Sequence, residues 1–260
     1  MNRIDLFQNE LNIIKSDDIR EFAKILINDA PEYFFHVPAS STGKYHPSYA
    51  LGEGGLARHT KAVMRFFNHI IRLEQYSRAI DERQIDLGLV ACLAHDMQKS
   101  GTESYYLTKI EDGEKVFTVF DHPILAANFI SAHQDCGLNE DEITYIADAV
   151  KSHMGQWNTD KRSDIVLPKP KSFIETMVHL ADYLASRKDI EVQFSDEEKM
   201  IDLPDINTYE CPFKKHKGEL LIDVAKTDPE YLEWLNENVT LKEPMKTFVK
   251  KTSSKIYLMF

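Results

Sequence analysis

The chain is 260 residues long and carries a formal net charge of -11 at pH 7. That length buries a full core and accommodates one large domain with a small companion. The acidic balance excludes a coat protein held on nucleic acid by a general basic field, although a metal centre can still draw a polyanion into a local pocket.

In chain order, residues 5–28 alternate apolar and polar groups at helical spacing, which predicts one or two leading helices. Residues 31–54, rich in Pro, Ser, Gly and Tyr, have no clear period and read as loop. Helices are expected at about 56–77, 82–99, 122–133, 140–153 and 171–187. Between the second and third of these, Glu103 to Phe120 reads as a short hairpin turning at Asp112-Gly113 and feeding His122. The composition then shifts to an acidic, Pro-containing linker at 196–208, followed by a small module at 209–260. The expected division is therefore a domain over 1–195, the linker and the module. Cys92, Cys136 and Cys211 stand at unrelated spacings and form neither a zinc nor a disulfide pattern. No signal peptide opens the chain and no apolar run approaches transmembrane length, so a cytoplasmic protein without a membrane partner is expected.

Six residues carry most of the chemistry: His59, the pair His95-Asp96, His122, His153 and Asp182. All are nitrogen or oxygen donors, suited to a hard or borderline divalent ion that holds phosphate oxygens and activates water. Thiolates are absent from the set, which argues against a structural zinc site. About one His-Asp pair is expected by chance in a chain of this composition, so the pair alone says little. Placement says more. His59 goes with Leu56, Val63, Phe66, Phe67 and Ile70, which share one helical face. His95-Asp96 closes the run Leu87 to Ala94, apolar nearly all round, and Asp182 ends another largely apolar stretch from Phe173. Titratable groups in such places are costly unless paired or metal-bound.

The stretches Gly54-Gly-Leu-Ala-Arg-His59-Thr, Leu93-Ala-His95-Asp96-Met-Gln-Lys99, Asp121-His122-Pro, Lys151-Ser-His153-Met-Gly and His179-Leu-Ala-Asp182 resemble the HD-domain metal-dependent phosphohydrolases. Within that superfamily they are most similar to the HD domain of YhaM-type exoribonucleases. The resemblance implies a mainly α fold, an HD helical bundle with the short β-hairpin as an insertion and the small C-terminal module appended. It also implies that His59, His95, Asp96 and Asp182 hold one metal, and that His122 and His153 complete a second site with Asp96 bridging. Members with the two extra histidines bind Mn, Fe, Ni, Co or Mg. Two ions about 4 Å apart clamp a phosphate and turn a water into hydroxide near neutral pH. Lys99 matches a Lys common in the superfamily and is a candidate to contact a non-bridging phosphate oxygen alongside Asp96; an ordinary solvated helix end is its plainer explanation.

Four more residues are candidates for substrate contact. Arg58 and Lys151 each lie close in sequence to a proposed ligand, and Lys44 and His46 sit in a loop placed to fold over the pocket. Ser40-Ser-Thr-Gly-Lys44 is not a phosphate-binding loop, since Tyr45 follows the Lys and the upstream Gly is missing. Gln156-Trp157-Asn158 either lines the pocket rim or caps a helix. Near the end, Pro212-Phe-Lys-Lys-His-Lys-Gly218 and Asp228-Pro-Glu-Tyr-Leu-Glu-Trp234 resemble the C-terminal module of exodeoxyribonuclease X, with Lys214 where that module has Gly. Tyr231, Trp234 and the lysines at 242, 246, 250, 251 and 255 suit phosphates and bases, although plain packing explains the aromatics equally well. The expected activity is metal-dependent cleavage of phosphodiester bonds in single-stranded RNA, DNA or oligonucleotides. The alternative is hydrolysis of a dNTP, a nucleoside monophosphate or a signalling nucleotide.

Overall fold

A computed structural model of the protein describes residues 2–40, 46–134, 136–194, 210–211, 213–239 and 249. The chain divides into two compact units, Met1–Ser195 and Asp196–Phe260. The described residues are mainly helical and form no strand, only the isolated bridges Thr159 to Val166 and Glu210 to Leu220. No helix among them is long and apolar enough to cross a membrane.

The first unit contains α1 (Arg3–Leu6), α2 (Gln8–Leu11), α3 (Asp17–Asp29), α4 (Gly55–Ile71), α5 (Glu82–Ala94), α6 (Glu103–Glu111), α7 (His122–Ser131), α8 (Glu140–Lys151) and α9 (Phe173–Ala185). At its centre lies α5, buried at every position from Ile85 to Ala94, as an all-round apolar helix must be. It packs against α3, α4, α8 and α9. Gly88 permits this crowding. A Cβ there would lie 2.4 Å from Phe67 Cζ and 2.7 Å from Ile174 Cδ1. Capping boxes written in the sequence start three of the helices: Asp81 with Gln84 for α5, Asn139 with Glu142 for α8, and Ser172 with Glu175 for α9. Buried Asp86 ties the leading helices to α5 by accepting from Ser16 N at 2.8 Å and Ser16 Oγ at 2.7 Å.

Three leading helices form where one or two were expected. The loop at 31–54 contains short 3-10 turns at Glu32–Phe35 and Ser48–Ala50 among its described residues. The fourth helix stops at Ile71, because its apolar stripe ends there and Leu73 is exposed. The fifth stops at Ala94, and residues 95–100 continue as tight turns, with Met97 N bonding Ala94 O and Lys99 N bonding Asp96 O.

The hairpin expected at 103–120 is instead α6 followed by an irregular segment. Thr102 Oγ1 caps the helix by accepting from Tyr105 N, and Tyr106 packs on Tyr33 with ring centroids 4.5 Å apart. The Asp112-Gly113 signal is a helix stop. Gly113 has φ +72°, its N–H reaches Ile110 O and Glu114 N–H reaches Lys109 O, which is the Schellman pattern. Tertiary packing and a cap outweigh the strand preference of Tyr105 and Tyr106.

In the second unit a 3-10 turn at Lys214–His216 precedes α10 (Leu221–Thr227) and α11 (Pro229–Asn238). Asp228 caps α11 through Tyr231 N and pairs with Lys215 and His216. Tyr231 and Trp234 stack at 6.2 Å and 11°, with Lys215 Nζ 4.9 Å from the Tyr231 ring. The run of lysines expected at 242–255 lies outside the described residues.

Candidate metal centre

Helix ends bring the donors together. His59 sits in the second turn of α4, while His95 and Asp96 follow the last residue of α5. His122 is the first residue of α7, His153 follows α8 after one residue, and Asp182 lies in the last turn of α9. Four histidines and Asp96 are buried, and the Asp182 side chain is 18% exposed.

Three of the rings are held by the same local device. The Nδ1 of His95, His122 and His153 donates to the carbonyl three residues earlier, of Cys92, Val119 and Val150, each at 2.7 Å. This places the single proton of a neutral imidazole on Nδ1 and leaves Nε2 as a lone-pair donor. The Nε2 atoms converge. His59 Nε2 lies 3.0 Å from Asp182 Oδ1, 3.4 Å from His95 Nε2 and 3.7 Å from Asp96 Oδ2. On the other side His122 Nε2 lies 3.3 Å from His153 Nε2 and 3.2 Å from Asp96 Oδ1. Within each of the groups His59, His95, Asp96 and Asp96, His122, His153, the donor atoms all lie within 4.8 Å of one another.

Asp96 therefore divides its carboxylate between two clusters. Oδ1 is buried and accepts no hydrogen bond, because the His122 ring beside it has its neutral-state proton committed to Val119. A buried orphan oxygen facing unprotonated nitrogens is what a cation satisfies, so the donor set fits divalent metal ions.

The electrostatics agree at His59, His153 and the two carboxylates and run the other way at His95. Burial pushes His153 down to about 3 and lowers His59 against the pull of Asp182. Burial also opposes charge on His95, but Asp96 outweighs it and the net shift is upward. Burial acts to raise both carboxyls, yet Lys99 and His95 hold Asp96 well below the usual range, and the bond from His59 does the same for Asp182. Neutral His59 and His153 beside ionised carboxylates are in the states that ligation requires, whereas His95, drawn toward its charged form by Asp96, has to give up that proton to a metal.

Two family matches accompany this geometry: the HD domain over residues 56–187, and the Exodeoxyribonuclease X-like C-terminal family over residues 213–240. This chain belongs to the HD domain family. No curated protein and no solved structure gives a significant match. Membership implies a metal-dependent phosphohydrolase acting on a phosphate ester, and the second match hints at a nuclease.

In this HD domain a cavity of about 350 Å³ opens onto the donors. Asp96, His122, His153 and Asp182 form one part of its lining, with Lys99 and His46 beside them. Lys99 Nζ makes a short ion pair with Asp96 Oδ2. His46 packs against His59 with ring centroids 5.7 Å apart, and burial lowers its pKa to about 4. Lys44 lies outside the described residues. Arg58 is not in the cavity lining; it donates to Tyr49 O at 2.7 Å and Leu51 O at 2.9 Å, bracing the turn before α4. Lys151 is exposed at the end of α8 and is not in the cavity lining. A helix turns about 100° per residue, so a neighbour of a ligand in sequence need not share its direction.

Thr118, Met154, Tyr183, Ser186 and Arg187 also line the cavity and were not anticipated. Tyr183 follows Asp182 on α9, and Arg187, two residues past the end of that helix, returns its Nε to Tyr183 O at 3.2 Å.

Proposed function

We propose that this HD domain hydrolyses phosphodiester bonds of single-stranded nucleic acid or oligonucleotides, with two divalent ions at the centre. His59, His95, Asp96 and Asp182 hold one ion, and Asp96, His122 and His153 hold the other. The observation that carries this reading is the split Asp96 carboxylate, whose Oδ2 lies 3.4 Å from His95 Nε2 and whose Oδ1 lies 3.2 Å from His122 Nε2. Divalent ions in such a pair supply charge neutralisation of the phosphate and an acidified water as nucleophile.

The chain's own groups do the rest. The carbonyls of Cys92, Val119 and Val150 fix ring tautomer and direction, so that no reorganisation is needed on binding. Lys99 stands at the cavity wall with its ammonium on Asp96, placed to transfer part of that interaction to a phosphate oxygen as negative charge develops. The C-terminal unit supports the polymeric substrate, since the stacked Tyr231 and Trp234 with Lys215 offer aromatic faces and a cation. A second reading, a nucleotide phosphohydrolase, is favoured by the size of the cavity, which suits one nucleotide unit.

The test is hydrolysis by metal-stripped protein reloaded with Mn²⁺, against end-labelled single-stranded RNA and DNA and a panel of mono-, tri- and cyclic nucleotides, with Asp96→Ala as control. Progressive shortening of a labelled strand by wild type alone is the expected result. Turnover confined to small nucleotides moves the protein to the second reading, and no turnover of any phosphate ester overturns both.

A further inference from the structure

We propose that Trp157 is the stacking surface for a nucleobase in the metal pocket, so that the unit hydrolysed there carries a base that is gripped without being identified. The inference deepens the phosphodiesterase reading and rests on it for the place of the scissile phosphate.

His153 and Trp157 leave α8 on one rigid turn. Gly155, at φ +57°, donates to Ser152 O at 3.0 Å, and a Cβ on it would lie 2.3 Å from the His179 ring. His179 Nδ1 in turn donates to His153 O at 2.7 Å, which locks the turn onto α9. Trp157 N bonds Met154 O at 3.1 Å, and Asn158 bonds Leu167 in both directions, at 2.9 and 3.0 Å. Backbone bonding therefore places the indole. Burial does not, for Trp157 is 43% exposed while lining the cavity.

Its plane is set as well. The indole lies parallel to Tyr183, with centroids 5.6 Å apart and 12° between planes. The Arg187 guanidinium sits 4.3 Å from the centre of the Tyr183 ring, and its Nε donates to Tyr183 O at 3.2 Å. Indole, phenol and guanidinium thus line the same cavity as the metal donors Asp96, His122, His153 and Asp182. A fixed π-face is what a base stacks on, and stacking tolerates any base because each has a π-face. The cavity, at about 350 Å³, accommodates one nucleotide unit.

The chain has two tryptophans, so Trp234→Phe leaves Trp157 as its single indole. Titrating that variant with AMP, UMP and ribose 5-phosphate separates base from sugar phosphate. Saturable quenching by both nucleotides and none by ribose 5-phosphate is expected. In hydrolysis, Trp157→Ala should raise KM for an oligonucleotide with a base-bearing terminal residue by about 5- to 140-fold, with kcat nearly unchanged. Trp157→Phe should recover most of the loss, and a strand ending in an abasic residue should be insensitive to both changes. Equal quenching by ribose 5-phosphate, or an unchanged KM in Trp157→Ala, overturns the stacking role while leaving the phosphodiesterase reading intact. Nucleotide-only quenching in a protein that cleaves no phosphodiester supports the base site and counts against the proposed reaction instead.

Discussion

His122 Nε2 and His153 Nε2 face one another at 3.3 Å, although both rings have given their neutral-state proton to a backbone carbonyl on the far side. Two lone pairs at that distance repel, and the Asp96 oxygen beside them adds to the negative potential. A cation reconciles all three groups. Metal binding is therefore expected to stabilise the fold. At 100 times its Kd an ion contributes about 2.7 kcal/mol, which corresponds to a rise in Tm of about 5–10 °C for a domain of this size. Thermal melts with Mn²⁺ and with a chelator check this, and His122→Ala/His153→Ala should lose a large part of the rise.

Lys99 is expected to act on rate more than on stability. Replacing it with Ala should lower kcat by about 10²- to 10³-fold if its ammonium meets charge that develops on the phosphate. Metal content, measured by elemental analysis, should stay close to wild type. Loss of metal together with activity would make the lysine a support for Asp96 and nothing more.

Gly88→Ala tests the packing around α5. The added methyl would meet Phe67 and Ile174 at 2.4 and 2.7 Å, so overpacking of about 1–3 kcal/mol should exceed the gain in helix propensity. Urea denaturation should show a lower midpoint with an unchanged slope.

His36 predicts a pH dependence of stability. The hydrogen bond to Glu53 raises its pKa, burial opposes, and Glu32 adds to the increase. A folded pKa above the unfolded value gives stability that is complete below about pH 6.5 and lost as pH rises through the folded pKa. Wild type should therefore exceed His36→Gln in urea midpoint at about pH 5.5 and approach it at about pH 9. A gap that widens with pH would contradict the assignment.

The C-terminal unit makes a substrate-length prediction. Trp234 is 52% exposed and stacked on Tyr231. Trp234→Ala should weaken hydrolysis of long strands by about 5-fold or more through KM and leave a dinucleotide unaffected. Filter binding and initial rates on both substrates report it.

His59, the His95-Asp96 pair and Asp182 were legible because each is a titratable group in or at the end of an apolar helical pattern, where burial demands a partner, whereas His122 and His153 were reached through the family resemblance. Most of the longer helices were legible from the spacing of their apolar residues, and α6 was not. What escaped was decided by tertiary contact or by rotation about a helix axis. Tyr106 joins a helix because Tyr33 is there to receive it, and Arg58 turns to the carbonyls of Tyr49 and Leu51 instead of the cavity. The parallel rings of Trp157 and Tyr183 come from segments that local pattern does not relate.

The most direct measurement of the central claim is anomalous diffraction from crystals of the Mn²⁺-loaded protein, with Asp96→Ala alongside. Two peaks about 3.5–4 Å apart are expected. One should lie among His59, His95 and Asp182, the other between His122 and His153, with Asp96 reaching both and the pair lost in the variant. A single peak, or two that persist without Asp96, would contradict a two-ion centre bridged by this carboxylate.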